Sequence, residues 1–503
     1  MSLAAWVGSL PCPPLSGSQP SQTPLAAVAR DLASYGVMSA ISQAGGLLLL
    51  PILTRALSVD AYGSVDMVAA FVAFLTILIL AVLPTALARE YHSSENSEDP
   101  ARLVSTLLAY VAATGALAGI GVSAFAQPLA QRMFDDPGAA AYLRLGCGIA
   151  WLSALLSIPY MTLRMQRRIV AYNALRMLQT LVYVGLTYAL VVGRERGVQG
   201  VFEAQLLTYA GLLICALFLI RAQLTPRLSL ARLRAALRFS LPILPGRIAV
   251  VINEQADRVL LLAFIGLSGV GLLGVAARIA SAVQFTLVVF RQAWQPHAMM
   301  LIDSPRRDDT YRRMLNYYAG AFSILGLWLS AVGPEIFRFV VPPEYAAGYA
   351  ALPWLVGAAI LHQSAAITTL GPIVKRETGI LATAPVIGML LNVALALVLI
   401  PRFGIGGAAI GMFVSTLVHT GLLWRRSVHD AGIPFDGATA AAAVATYALA
   451  SLGLLMAWRE LDAMASFAAR MGIALAATAF LVPRTLDAQA WNLLRTLSRR
   501  VAR

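Results

Sequence analysis

The sequence predicts an all-α integral membrane protein of about 14 transmembrane helices, arranged as two parallel six-helix lobes around a central cavity plus a C-terminal helix hairpin. Three observations carry this expectation. Of 503 residues, 59% are hydrophobic and only 12% charged, with a mean hydropathy of +0.74, whereas soluble domains are roughly 25% charged. Apolar runs of about 20 residues, the length at which a helix crosses the hydrocarbon core, recur from end to end. Arginines concentrate in alternate connecting segments, the pattern of a chain threaded back and forth through a bilayer. These features exclude a water-soluble enzyme. The net charge of +14 is spread over short gaps with no basic domain, so the implied partner is the anionic surface of the lipid bilayer and not nucleic acid.

Residues 1–33, with Pro11, Pro13, Pro14, Pro20 and Pro24 among serines and glycines, read as a disordered cytoplasmic tail without the positive n-region of a signal peptide. Six apolar spans follow, at 34–54, 62–86, 103–125, 140–162, 172–192 and 198–220, and make an N-lobe over 34–220. Residues 221–238 place Leu230, Leu233 and Leu237 at helical spacing with Arg232, Arg234 and Arg238 elsewhere on the turn, which predicts an interfacial amphipathic linker. Spans at 239–265, 270–290, 316–339, 348–370, 380–400 and 405–424 make a C-lobe over 239–424. Spans at 438–457 and 467–483 form an extra hairpin within 425–503, which closes on a basic amphipathic cytoplasmic tail, AWNLLRTLSRRVAR (490–503). With the N-terminus inside, 26 of the 38 basic residues fall in cytoplasmic segments and 8, including Arg470, in outer loops, so both termini are expected in the cytoplasm.

The two lobes are expected from an internal repeat. ALVVGRERGVQG (189–200) matches ALVLIPRFGIGG (396–407) without a gap, at an offset of 207, and Leu57-Ser58 recurs as Leu267-Ser268. Six spans per copy is an even number. Both copies therefore start from the same side and are related by an axis along the membrane normal, the architecture of alternating access.

The seventh span holds the sharpest anomaly: Arg247, Asn253, Glu254, Asp257 and Arg258 lie inside an apolar run. Each charge facing lipid would cost about 2.5–3.5 kcal/mol, so they must face protein or water. At about 100° per residue, Arg247, Glu254 and Arg258 fall within roughly 40° of one another, with Asn253 and Asp257 on a second stripe roughly 80–120° away. Two compatible readings stand: a cavity-lining helix that handles an anionic or ionic cargo, and a Glu254–Arg258 pair at i,i+4 that fixes one conformation. Pro242 and Pro245 should loosen the start of this helix. Arg278 adds interior positive charge, whereas Arg144 fits a side chain snorkelling to the interface and Asp66 an interfacial position near the outer end of span two. His362 and His419 each read as a single membrane histidine, with a proton relay or a structural hydrogen bond as the alternatives. Cys12, Cys147 and Cys215 have no metal or disulfide spacing, no cofactor is called for, and HExxH, GxSxG and P-loop motifs are absent.

LLLLPILTRALSVDAYGSVDMVAAF (47–71), ADRVLL in the seventh span followed by Gly271 and QAWQPHA (292–298), and LLNVALALVLIPRFGIGGAAIG (390–411) together resemble the polysaccharide transporters, or Wzx-type lipid-linked oligosaccharide flippases, of the multidrug/oligosaccharidyl-lipid/polysaccharide superfamily. The resemblance covers about 34–424. It departs where the family often has tyrosines and this chain has Leu273 and Ala277. It implies a transporter and not an enzyme: a protein of the bacterial inner membrane that moves an undecaprenyl-diphosphate-linked glycan between leaflets for surface or exopolysaccharide synthesis. A polysaccharide polymerase and a chain-length regulator become candidate partners. Arg247, Arg258, Glu254, Asp257, Asn253 and Arg278 are then the candidate substrate-binding residues, because arginine forks match a diphosphate. The alternative is an ion-coupled multidrug or cation antiporter of the same superfamily, whose cavity should favour carboxylates. A membrane-embedded glycosyltransferase or polymerase lacks support, since neither a large extramembrane loop nor an interfacial acidic motif is present.

Overall fold

The computed structural model describes residues 45–91, 100–302, 304–305, 307–375, 379–430 and 432–486. Their regular structure is helical throughout, with no strand among the described residues. The expected tail 1–33 and the C-terminal stretch 490–503 lie outside the described residues.

The first half starts with α1 (Gly45–Ala56) and α2 (Val59–Leu80), whose first turn is capped by the Ser58 hydroxyl accepting from the Ala61 N–H at 3.3 Å. The second span was expected to run unbroken to residue 86. It breaks instead at Ala81 and Val82, both in left-handed backbone, because Pro84 in the first turn of α3 (Leu83–Glu90) cannot continue the α2 hydrogen-bond ladder. α4 (Pro100–Phe134), α5 (Ala140–Met165), α6 (Ile169–Thr187, continued as a π turn over Tyr188–Val192) and α7 (Gly197–Leu219) follow. The linker helix α8 (Leu230–Ser240) forms as its leucine spacing predicts, and Leu233 and Leu237 dock on the first-half core while Leu230 stays exposed. Its approach is pinned to α4 by Thr225 N–H to Ser105 Oγ (2.8 Å) and Ser229 N–H to Thr106 Oγ1 (3.0 Å).

In the second half, α9 (Leu244–Phe264) leaves α8 at a 56° bend with Pro242 and Pro245 at the break, where the prolines were expected to act. α10 (Leu267–Met300), α11 (Arg307–Ala331), α12 (Gly333–Val340), α13 (Leu352–Thr368) and α14 (Leu370–Val374) lead to the long α15 (Gly379–His429). Gly404, with φ of 60°, breaks α15 between the two spans read there. The hairpin is α16 (Gly437–Glu460) and α17 (Ala463–Thr485), each capped by an aspartate, Asp436 and Asp462, and both helices pack on α11. Among the described residues, ten helices are long and apolar enough to cross a membrane, or up to 12 if each bent pair, α8–α9 and α11–α12, forms one span. Fourteen separate spans are thus not what the helices give directly, because α1 is short within the described residues and α15 runs through two expected spans.

Arg470 corrects the sequence reading. It belongs to no outer loop: on α17 it is 2% exposed and grips Glu335 of α12 with both NH1 (2.9 Å) and NH2 (2.6 Å). Arg470 lies two turns inside α17, which starts at Ala463 under the Asp462 cap, and a charge among apolar helices is stable only when it is paired.

Two glycine relationships follow the repeat. Gly197 and Gly404 occupy equivalent places in the matched segments, and both adopt positive φ, 53° and 60°, so the two copies turn with the same left-handed residue. Where α2 crosses α10, a Cβ on Gly63 would collide with the Leu267 carbonyl oxygen, and one on Gly271 with that of Val59. The contact is reciprocal, with Gly63 against the Leu267 carbonyl and Gly271 against the Val59 carbonyl.

Candidate functional site

Three of the charged residues read from the sequence, Asp66, Arg258 and Arg278, come together where α2 of the first half meets α9 and α10 of the second. One helical turn beyond the glycine crossing, Asp66 of α2 is 8% exposed, and its Oδ2 accepts from Arg258 Nε of α9 at 2.6 Å. This corrects the interfacial reading of Asp66. The Asp66 carboxyl also lies against α10: a Cβ on Gly274 would come within 3.0 Å of it.

The pair expected within α9 takes a different form. Arg258 does not engage the Glu254 carboxylate; its NH1 donates to the Glu254 backbone carbonyl (2.9 Å), while Nε takes Asp66. Helical spacing placed the two on one face, as expected, but a carboxylate across the helix junction captures the guanidinium. Arg247, near the start of α9, is exposed, and so is Glu254. The second stripe turns inward. Asp257 is 1% exposed, its Oδ1 accepting from Asn392 Nδ2 of α15 at 3.2 Å, while Asp257 Oδ2, Asn392 Oδ1 and Asn253 Oδ1 are buried without a partner. Asn392 was not singled out, although it is the one amide in its apolar span and that isolation was a usable signal.

Arg278 projects from α10 one turn after Gly274, with the Tyr62 and Tyr183 hydroxyls and Asp66 around it and Gly46 of α1 alongside. No carboxylate among the described residues forms an ion pair with it. The junction thus holds one direct ion pair, Asp66–Arg258, beside the Arg278 guanidinium, with the Glu254 and Asp257 carboxylates near enough to act on Arg258. Arg144 is exposed, as a snorkelling side chain would be.

A polar cavity of about 500 Å³ opens from this junction between α9, α10, α13 and α15. Glu254, Arg258 and Asn253 line one part of it. His362 of α13 and His419 of α15 line another, their ring centroids 6.4 Å apart, so the two histidines read singly from the sequence are neighbours. Leu273 and Ala277 supply an apolar wall. No group of three or more His, Cys, Asp or Glu among the described residues could hold a metal ion.

Residues 52–323 match the sequence profile of a family described as polysaccharide biosynthesis protein. No curated protein matches the chain. Among solved structures, the chain is similar to the lipid II flippase MurJ in an inward closed conformation, with 12% identity over 90% of this chain and 97% of that one, at a TM-score of 0.65. It is also similar to an inward-facing multidrug resistance MATE family transporter of the MOP superfamily (14% identity, 79% and 94% covered, TM-score 0.60). A third likeness is to a Vibrio cholerae MATE transporter (13% identity, 81% and 97% covered, TM-score 0.56). At these identities the likenesses establish the fold, and the fold is that of MurJ and the MATE transporters.

Proposed function

The chain belongs to the polysaccharide biosynthesis protein family, and we propose that it flips an undecaprenyl-diphosphate-linked oligosaccharide from the inner to the outer leaflet of a bacterial inner membrane. The observation that carries this reading is Arg278, a guanidinium among membrane helices that forms no ion pair with a carboxylate among the described residues. A charge in that setting requires compensation. A diphosphate supplies it with the planar, bidentate geometry that suits arginine. Arg258 and Arg278 hold the diphosphate, the adjoining cavity shields the first sugars from hydrocarbon, and the lipid tail stays in the bilayer. Arg247, exposed on the approach to α9, meets the headgroup first.

In this account residues 34–220 and 239–424 rock against each other about the glycine crossing of α2 and α10, with 221–238 as the joint and the hairpin within 425–503 riding on the second half. Both termini lie in the cytoplasm. Surface or exopolysaccharide synthesis is the pathway served.

A second reading, an ion-coupled multidrug or cation antiporter, draws on Asp257, whose buried Oδ2 has no partner. The two readings part on one experiment. Arg278→Ala should abolish surface glycan while the protein stays in the membrane, and lipid-linked glycan should accumulate on the cytoplasmic leaflet. Intact surface glycan together with lost resistance to cationic compounds would favour the antiporter.

A further inference from the structure

We infer that Asp66 is an internal stand-in for the substrate's phosphate: it occupies Arg258 when the site is empty, and an arriving diphosphate displaces it, so that binding and separation of the two halves are one event. The inference rests on the proposed diphosphate reading and adds its regulation.

The Asp66–Arg258 bond joins residues 192 positions apart, one from each half, at 2.6 Å. It sits directly below the place where α2 and α10 approach backbone to backbone at Gly63 and Gly271. Asp66 is wedged there, its carboxyl against Gly274, while Arg258 spends NH1 on the Glu254 carbonyl of its own helix. Among the described residues the guanidinium therefore makes one direct ion pair, and that partner belongs to the other half. Arg278 lies one turn further along α10, near Asp66 but without an ion pair to it. Among the described residues Asp66 is the carboxylate that pairs directly with Arg258, while Glu254 and Asp257 act on it from further away.

A doubly charged diphosphate bridging Arg258 and Arg278 would bring its oxygens to where Asp66 now sits. Three like charges cannot share that space in a low-dielectric setting. The carboxylate must leave, and when it leaves, the charged link between α2 and α9 breaks. A merely structural ion pair would do the opposite, since removing one partner of a buried pair normally damages what it holds. That contrast makes the idea testable. Asp66 is thus a positioning residue acting through Arg258.

The test uses full-length protein in nanodiscs and titrates inorganic pyrophosphate in one arm and undecaprenyl diphosphate supplied in the nanodisc lipid in the other, which separates a free phosphate from a lipid headgroup as the natural source. Asp66→Asn should bind pyrophosphate roughly 10- to 100-fold tighter than the wild type, the scale of one competing charged hydrogen bond. Arg258→Gln should bind it weakly, and the double variant should match Arg258→Gln, because Asp66 matters only through Arg258. A second measurement needs no change at Asp66: spin labels at Asp60→Cys and Phe264→Cys, with the three native cysteines replaced, should move apart on addition of either ligand. Binding by the wild type with no gain in Asp66→Asn, or with no change in label distance, overturns the displacement while leaving the diphosphate site standing. If no variant binds either ligand, the diphosphate site itself is wrong and the displacement falls with it.

Discussion

Gly63 of α2 and Gly271 of α10 face each other so closely that a Cβ on either would strike a carbonyl oxygen of the opposite helix. Gly63→Val or Gly271→Val should therefore prevent closure at this crossing without unfolding the halves on either side. We expect normal protein levels in the membrane, loss of surface glycan, and a cysteine at Ser58 that reacts with a membrane-impermeant maleimide more readily than in the parent. Unchanged export in both variants would remove the crossing from the mechanism.

The pair of buried Arg470 with part-exposed Glu335 should be a folding requirement. Removing Glu335 leaves a buried unpaired guanidinium, which costs about 3–5 kcal/mol, so Glu335→Ala should lower the thermal midpoint of the purified protein sharply, and Arg470→Ala, which leaves a part-exposed carboxylate, should lower it less. Arg470→Leu combined with Glu335→Leu should recover much of the loss. A double variant as unstable as the singles would mean that the remaining bonds of Arg470, from NH1 to the Ala331 carbonyl and from Nε to Ser466, are what matter.

Left-handed backbone at Gly197 and Gly404 is needed at both ends of the repeat. Alanine at either position should cost about 1 kcal/mol, read as a modest fall in thermal midpoint with transport retained. Equal costs at the two sites would fit equivalent turns.

Reporter fusions test the orientation. Fusions at Asp135, Glu344 and Glu460 should report the periplasm, and fusions at Glu95, Asp308 and Arg500 the cytoplasm, following the bias of arginine to the inside. A cytoplasmic signal at Glu344 would contradict the shared orientation of the two halves.

Much of this architecture was legible in the sequence because membrane helices answer to local rules: length, apolarity, proline and glycine. The bend before α9 was readable from Pro242 and Pro245, and the break at Gly404 from the gap between the expected spans 380–400 and 405–424. Helical spacing also separated the exposed Glu254 from the buried Asp257 on α9. Spacing within one helix cannot say which face of another helix it meets, and for that reason the partners were hidden. Asp66 was read as interfacial although it binds Arg258, and Glu254 was given a guanidinium that belongs to Asp66. Asn392 and the neighbouring His362 and His419 are likewise products of tertiary packing between α9, α13 and α15. Arg470 was misplaced because α17 begins at Ala463 under the Asp462 cap, before the expected start at 467, which carries the arginine two turns into the helix.

The most direct test of the diphosphate account is flipping itself. Full-length protein reconstituted in liposomes with a fluorescent undecaprenyl-diphosphate saccharide is assayed by the fraction of probe exposed to a membrane-impermeant quencher over time. The account predicts rapid exchange by the wild type, none above protein-free liposomes for Arg278→Ala despite equal incorporation, and partial exchange for Arg278→Lys, which keeps the charge but loses the planar fork. Exchange by Arg278→Ala at the wild-type rate would contradict it.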